Sequence, residues 1–165
     1  MREDAQAFGG RRVLAQSSSD RTDYRFPVCV YDGVSAKDVE VWVRFKAVSG
    51  EVDRAGGIVA RYQDQDNYYI VRANAIENNV RLYRLVGGKR WQIAGVDAQV
   101  TAGEWHMLRL AVKGSRFSVS FDGRLLFEAD DSAIRDAGKV GVWTKSDSVA
   151  HFDDLKIEAH DQRTR

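Results

Sequence analysis

The stretch from residue 38 to 48, DVEVWVRFKAV, is the strongest constraint on what this chain can fold into. Val39, Val41, Val43, Phe45 and Ala47 fall on one side of it, and Asp38, Glu40, Trp42, Arg44 and Lys46 on the other. A period of two is the signature of an antiparallel strand with one face buried. The same period puts Leu108, Leu110 and Val112 on one face of WHMLRLAVKG, and Phe117, Val119 and Phe121 on one face of RFSVSF. Gly114-Ser115 joins those two strands, Asp122-Gly123 joins the second to RLLFEA, and Gly87-Gly88 joins VRLYRLV to KRWQIAGV. Asp-Gly and Gly-Gly supply the positive φ angles of type I′ hairpins. With KVGVWTK and SVAHFDDLKIEA closing the series, about a dozen short strands follow one another at the 8–12-residue spacing of an all-β antiparallel sandwich. DDSAIRDAG predicts a single helical turn. Pro27, the sole proline, lies in a strand-like run and predicts an edge strand or a bulge.

At 165 residues the chain is expected to be one domain, residues 1–165, with ends at 1–10 and 159–165 frayed and a polar front, to about residue 22, expected to fray as well. Such a chain buries roughly 68–70% of its unfolded surface, which supports a core without staples. Twenty-five basic residues against 24 acidic ones argue against a nucleic-acid partner, which needs a strong positive excess. The basic cluster Arg81, Arg84, Lys89 and Arg90 has acids scattered around it and is expected to be a solvated strand face. Cys29, the lone cysteine, forms no intramolecular disulfide and is expected in the core, inside FPVCVY. No apolar run is long enough for a membrane span, and MREDAQAFGG has no apolar segment of a secretory signal.

Three blocks in order, GGIVARYQDQDNYYIVRANAIENNVRLYRL, TAGEWHMLRLAVKGSRFSVSFDGRLLFEADD and DAGKVGVWTKSDSVAHFDDLKI, resemble the concanavalin A-like lectin/glucanase superfamily. Within it they are similar to a bacterial branch of 3-keto-disaccharide hydrolase-like domains, over about residues 11 to 157. The resemblance implies a jelly roll of two curved sheets that binds or processes glycans on its concave face, in an exported, periplasmic or extracellular protein. Those relatives carry a further Trp-containing strand and an export signal ahead of the point where this chain begins.

Several catalytic patterns are missing. The Glu-x-Asp-x-x-Glu strand of laminarinase-type relatives finds only EVDRAG and EADDSA, each lacking the third acid that retaining hydrolysis by this route would need. There is no Gly-x-Ser-x-Gly turn, and His106, His151, His160 and Cys29 lack zinc-ligand spacing. His151, close to Asp153 and Asp154, is the candidate acid/base. DQDN at 64–67 begins like a calcium loop, but Tyr68 stands at its fifth position and no glycine follows, so a turn is predicted instead. By the resemblance, FDDL is the calcium candidate, with Asp153 and Asp154 as ligands, because related sandwiches hold structural calcium with an acid on the terminal strand. No organic cofactor is expected.

Polar and aromatic side chains carried on strands remain: Arg61, Tyr69, Arg72, Asn74, Tyr83, Trp91, Trp143 and Lys145. Sugar recognition uses flat aromatic faces together with fixed donors for hydroxyls, and arginine offers a rigid donor fork. The expectation is a glycan-binding domain that gathers these residues on the concave face. One alternative is an enzyme acting on 3-keto-glycosides, in which His151 removes the acidified C2 proton and β-elimination follows. Another is a laminin-G-like module that binds protein through its loops.

Overall fold

In a computed structural model of the chain, residues 1–3, 10 and 12–160 are described. The alternation becomes thirteen strands: β1 (Arg2–Glu3), β2 (Arg12–Gln16), β3 (Val28–Ala36), β4 (Val39–Ser49), β5 (Ala55–Asp64), β6 (Asn67–Asn74), β7 (Asn79–Val86), β8 (Lys89–Asp97), β9 (Trp105–Lys113), β10 (Arg116–Phe121), β11 (Arg124–Asp130), β12 (Gly138–Trp143) and β13 (Val149–Ala159). They form a seven-stranded sheet in the order β1-β2-β13-β4-β9-β10-β11 and a six-stranded sheet in the order β3-β12-β5-β6-β7-β8. All pairings are antiparallel. The fold is therefore the antiparallel jelly-roll sandwich that the period of two predicts. Among the described residues no helix is long and apolar enough to cross a membrane.

The core lies between the sheets and is built from their inner faces. Val41, Val43 and Phe45 of β4, Leu108 and Leu110 of β9 and Phe117 and Val119 of β10 meet Ile58, Tyr69, Val71 and Leu82 of the opposite sheet. Each such side chain contributes about 1.5–3 kcal/mol on burial. The hairpin turns follow the residue chemistry: Gly87 and Gly88 have φ of 58° and 75°, and Asp122 and Gly123 have 48° and 82°.

Three expectations change. Residues 12–16 are not frayed but form β2, whose Leu14, Ala15 and Gln16 pair with β13, and Val13 finds a buried position in the sandwich. DDSAIRDAG forms no helical turn; it is irregular chain leading into β12. Cys29 is exposed. It sits opposite the inner-facing Val142, but β3, which Pro27 introduces, is an edge strand, so the sandwich does not close over the thiol. The expected fraying at 4–9 and 161–165 falls outside the described residues.

Arg61 holds one end of the sandwich together. Its Nε donates to the Lys37 carbonyl (2.8 Å), Nη1 to Ile134 (2.9 Å) and Nη2 to Gly114 (2.6 Å). Those carbonyls belong to the β3–β4, β11–β12 and β9–β10 connections, so one buried guanidinium ties three loops. Asp38, 3.8 Å away, balances its charge and accepts the Gly114 N–H. Arg61 has φ of 48°, a left-handed conformation that costs a non-glycine residue roughly 1–2 kcal/mol. The β5–β6 register slips between Ala60 and Asp64, a bulge that turns the side chain toward the loops. Gly138 makes this possible, since a Cβ there would lie 2.3 Å from the Arg61 carbonyl carbon.

Arg61→Ala strips donors from three carbonyls, and each buried group left unpaired costs about 1–3 kcal/mol. Urea unfolding is expected to show a loss of at least about 3 kcal/mol, with Arg61→Lys recovering only part of it because an ammonium lacks the planar fork. A loss below about 0.5 kcal/mol, the range of ordinary surface changes, would remove Arg61 from this role.

Candidate functional site

The outer face of the six-stranded sheet is unusual in being largely closed. Alternation along β6 sends Tyr69, Val71 and Ala73 into the core and Tyr68, Ile70, Arg72 and Asn74 outward. Even so, all four outward residues are buried. Tyr68 and Ile70 join Ala55, Val59, Tyr83, Leu85 and Trp143 in a second apolar cluster. The segment 20–27 runs over this cluster as a strap. Phe26 stacks on Trp143 at 5.5 Å, and the Arg90 guanidinium lies 5.3 Å from the Phe26 ring and 4.4 Å from that of Tyr83. The strap is fixed at both ends, with the Tyr24 hydroxyl donating to the Gly88 carbonyl (2.8 Å), Arg25 to Ser146 (2.8 Å) and the Thr144 N–H to Pro27 (3.0 Å). Burial pushes the Tyr68 hydroxyl up to about 12, with the neighbouring Trp143 N–H pulling the other way.

Beyond the strap, a polar network reaches the surface. The four-residue turn at 75–78 fixes the hairpin register, so Arg72 on β6 stands directly opposite Arg81 on β7. Like charges opposite one another destabilise a sheet, and Glu77 of that turn offsets the repulsion. Its Oε2 lies 2.9 Å from Arg72 Nη2 and 3.6 Å from Arg81 Nη1, and accepts from Asn79 at 3.2 Å. Arg72 also donates to Asn79 and to the Tyr83 hydroxyl (3.2 Å). The row extends across the sheet as Trp143, Gly57, Arg72, Arg81 and Gly95. The glycine beside each arginine leaves room for its stem. A Cβ on Gly95 would lie 2.7 Å from Arg81 Cγ, and one on Gly57 would lie 3.1 Å from Arg72 Cβ.

A second branch anchors Asn74. Its side-chain amide donates to Asp53 Oδ1 (2.5 Å), and its oxygen accepts the N–H groups of Ile76 and Glu77 (2.9 and 3.0 Å), which shapes the turn. Lys145 bridges Asp53 (3.3 Å) and Asp23 of the strap (3.0 Å). Asp147 holds the loop carrying Asp53, since its carboxylate accepts the N–H groups of Glu51, Val52 and Asp53.

Five residues singled out from the sequence therefore share this face: Arg72, Asn74, Tyr83, Trp143 and Lys145. Two do not. Arg61 points into the loops at the end of the sandwich, as described above. Tyr69 faces the core, where its hydroxyl donates to Asp131 Oδ1 (2.7 Å) and accepts the Ile134 N–H (3.1 Å). Burial, then the Asp131 carboxylate, pushes that hydroxyl up to about 12. Trp143 is on the outer face of the six-stranded sheet, but its ring is stacked under Phe26 and offers no bare surface to a sugar. Glu77, Asn79 and Asp53 were not anticipated. AIENN has the composition of a turn, and only the register of Arg72 against Arg81 signals that an acid must lie between them.

His151 lies on the other side of the molecule, on the outer face of the seven-stranded sheet, next to Lys46 of β4. Asp153 and Asp154, the calcium candidates, stand at a bulge in β13. Asp154 has φ of 53° at a β13 bulge, its carboxylate faces Arg44 (3.5 Å), and its N–H is taken by Asp153 Oδ1 (2.8 Å). Among the described residues, Glu40, Glu158 and His160 also lie at a spacing that could hold a metal ion. Glu40 there is held by Arg109 and Glu158 by Lys156.

The chain matches the family of galactocerebrosidase C-terminal lectin domains over residues 31–160. It belongs to that family. No curated protein sequence matches it. Solved structures share the fold of this lectin-domain chain at low identity. The carbohydrate binding module CBM66 from Bacillus subtilis superposes with a TM-score of 0.73 at 19% identity, over 87% of this chain and 97% of that one. A Bacillus subtilis protein of unknown function with a galectin-like fold gives 0.66 at 11% identity, over 88% and 86%. Caenorhabditis elegans galectin LEC-6 gives 0.58 at 12% identity, over 86% and 94%.

The network predicts an acid sensitivity with a definite sign. Burial acts to raise the Glu77 pKa, but hydrogen bonding from Asn79 and the charges of Arg72 and Arg81 prevail and hold it below its ordinary 4.5. A folded-state pKa below the unfolded one stabilises fully above pH 4.5 and loses that contribution as pH falls through the lowered value. Thermal melts between pH 7 and pH 3 should therefore show a smaller acid-induced fall for Glu77→Gln than for the wild type. Equal falls would mean that Glu77 is not coupled to the two arginines.

Proposed function

We propose that this lectin domain binds a glycan on the outer face of the six-stranded sheet, at the Arg72–Glu77–Arg81 network. The observation that carries the reading is Arg81. Its side chain is 35% exposed, its hydrogen bond to Tyr83 is long at 3.5 Å, and its distance to Glu77 is 3.6 Å. A fixed fork with donors to spare stands beside a fixed carboxylate. Neighbouring hydroxyls on a sugar ring each both donate and accept, and this pairing suits them. Arg72, Asn79 and Tyr83 hold the pair from below and need no reorganisation on binding, which favours affinity.

With Trp143 covered by Phe26, binding here rests on hydrogen bonds more than on ring stacking. The family supports a lectin role, and two of the structural neighbours are by name a carbohydrate binding module and a galectin. The position of His151, across the sandwich from this network, favours binding over the elimination of a 3-keto-glycoside at this face.

A glycan array, followed by calorimetry on the best ligand, tests the reading. Hydrogen bonds to a charged group contribute about 1.5–3 kcal/mol. Arg81→Ala should thus weaken binding by roughly tenfold to a hundredfold. Its melting temperature should stay close to that of the wild type, because the guanidinium is at the surface. Retention of full affinity by Arg81→Ala, or no glycan bound at millimolar concentration by the wild type, would sink the proposal.

A further inference from the structure

The inner faces of the two sheets bury almost all their large apolar side chains, but at one corner they part. Along β7 the inner-face positions run Leu82, Arg84 and Val86, and the β8 residues opposite the last two are Trp91 and Lys89. Leu82 is in the core. Toward the Gly87-Gly88 hairpin, however, Val86 is 37% exposed and Trp91 is 53% exposed. An indole on the inner side of a sandwich and still half in water leaves a flat apolar face open beside Val86.

Facing the indole is the start of the β11–β12 connection, and the two enclose an open cleft of about 720 Å³. Its floor is rigid. Asp131 accepts from the Tyr69 hydroxyl (2.7 Å), the Ala133 N–H (2.9 Å) and Arg84 Nη1 (2.5 Å), so the core holds the loop in place. Burial opposes the Asp131 charge, but those three donors outweigh it and keep the carboxyl below its usual range. The charged residues lining the cleft balance, Arg84 and Lys89 against Asp130 and Asp131, and Arg84 is paired with Asp131. Lys89 adds a donor and Asp130 an acceptor at the rim.

We propose that this corner is a second carbohydrate subsite, separate from the Arg81 network, that takes a neutral hexopyranose. The flat indole of Trp91 stacks on the C–H face of the ring. Lys89 and Arg84 donate to ring hydroxyls and Asp130 accepts from one. Cancelled charge gives no preference for an anion, and a single ring surrounded by both donors and acceptors matches a polyhydroxyl ligand better than an apolar one. The inference rests on the glycan reading above. Two sites on different surfaces of one small domain would let it hold a polysaccharide at two points, with avidity above that of either site alone.

The test uses the whole chain against immobilised galactan, xylan, mannan and glucan, with Trp91→Ala, Trp91→Phe and Arg81→Ala compared with the wild type. Trp91→Ala should bind the retained polysaccharide at least tenfold more weakly while keeping its melting temperature, and Trp91→Phe should recover much of the loss. Soluble oligosaccharide should still quench tryptophan fluorescence in Arg81→Ala, through Trp91. If Trp91→Ala binds like the wild type while Arg81→Ala fails, the second subsite is wrong and the first stands. If neither substitution matters, or the wild type binds none of the four, both are wrong.

Discussion

A single buried cation governs how the two sheets meet. Arg61 reaches the carbonyls of Lys37, Gly114 and Ile134, which lie in three connections that never approach one another along the chain. Loop carbonyls in a protein interior must find donors, and burying them unpaired is costly. One planar guanidinium with five N–H groups satisfies several at once, where separate side chains would each lose rotamer entropy. A left-handed residue toward the end of β5 is the accompanying strain, and Gly138 leaves the space that its backbone occupies. With that end closed, the opposite side of the six-stranded sheet is free to carry other chemistry.

The outer face follows a related logic. Its arginines stand opposite one another because the turn at 75–78 sets the register, and they are tolerated because Glu77 lies between them. Gly57 and Gly95 flank the pair and clear the surface on which the stems lie. The strap then divides the face. The apolar half, with Tyr68, Ile70 and Trp143, is sealed by Phe26 and Arg90, and the polar half stays in contact with water. A lectin-family fold is thereby given a narrow, preorganised patch of donors and acceptors. The sequence suggested that polar and aromatic side chains would gather on one face, and of those named Arg72, Asn74, Tyr83, Trp143 and Lys145 do so here.

The class of fold was legible because the period of two depends only on which face meets the core, and hydrophobic burial enforces that locally. Turns were legible for the same kind of reason. The DQDN stretch forms a turn at Gln65-Asp66, with Asp64 accepting the Asp66 N–H, and AIENN forms the turn capped by Asn74. Cys29 was not legible, since an apolar run looks alike in a central strand and in an edge strand. Tyr69 and Tyr68 differ by one position and therefore by a whole face. Alternation alone does not say which of two adjacent tyrosines turns inward.

The sequence by itself determined the strands, the tight hairpins and the presence of charged and aromatic residues on them, because each of these is settled by neighbours within a few positions. Only the tertiary structure decided the uses of those residues. Arg61 became a staple, Trp143 a covered core residue, Glu77 the acid between two arginines, and Trp91 an open shelf. Each outcome depends on partners far away in the chain, such as Ile134, Phe26 and Asp131, which come into range only when the sheets twist and pack. Long-range proximity has no local signature in composition or period, so function here is a property of the packed sandwich.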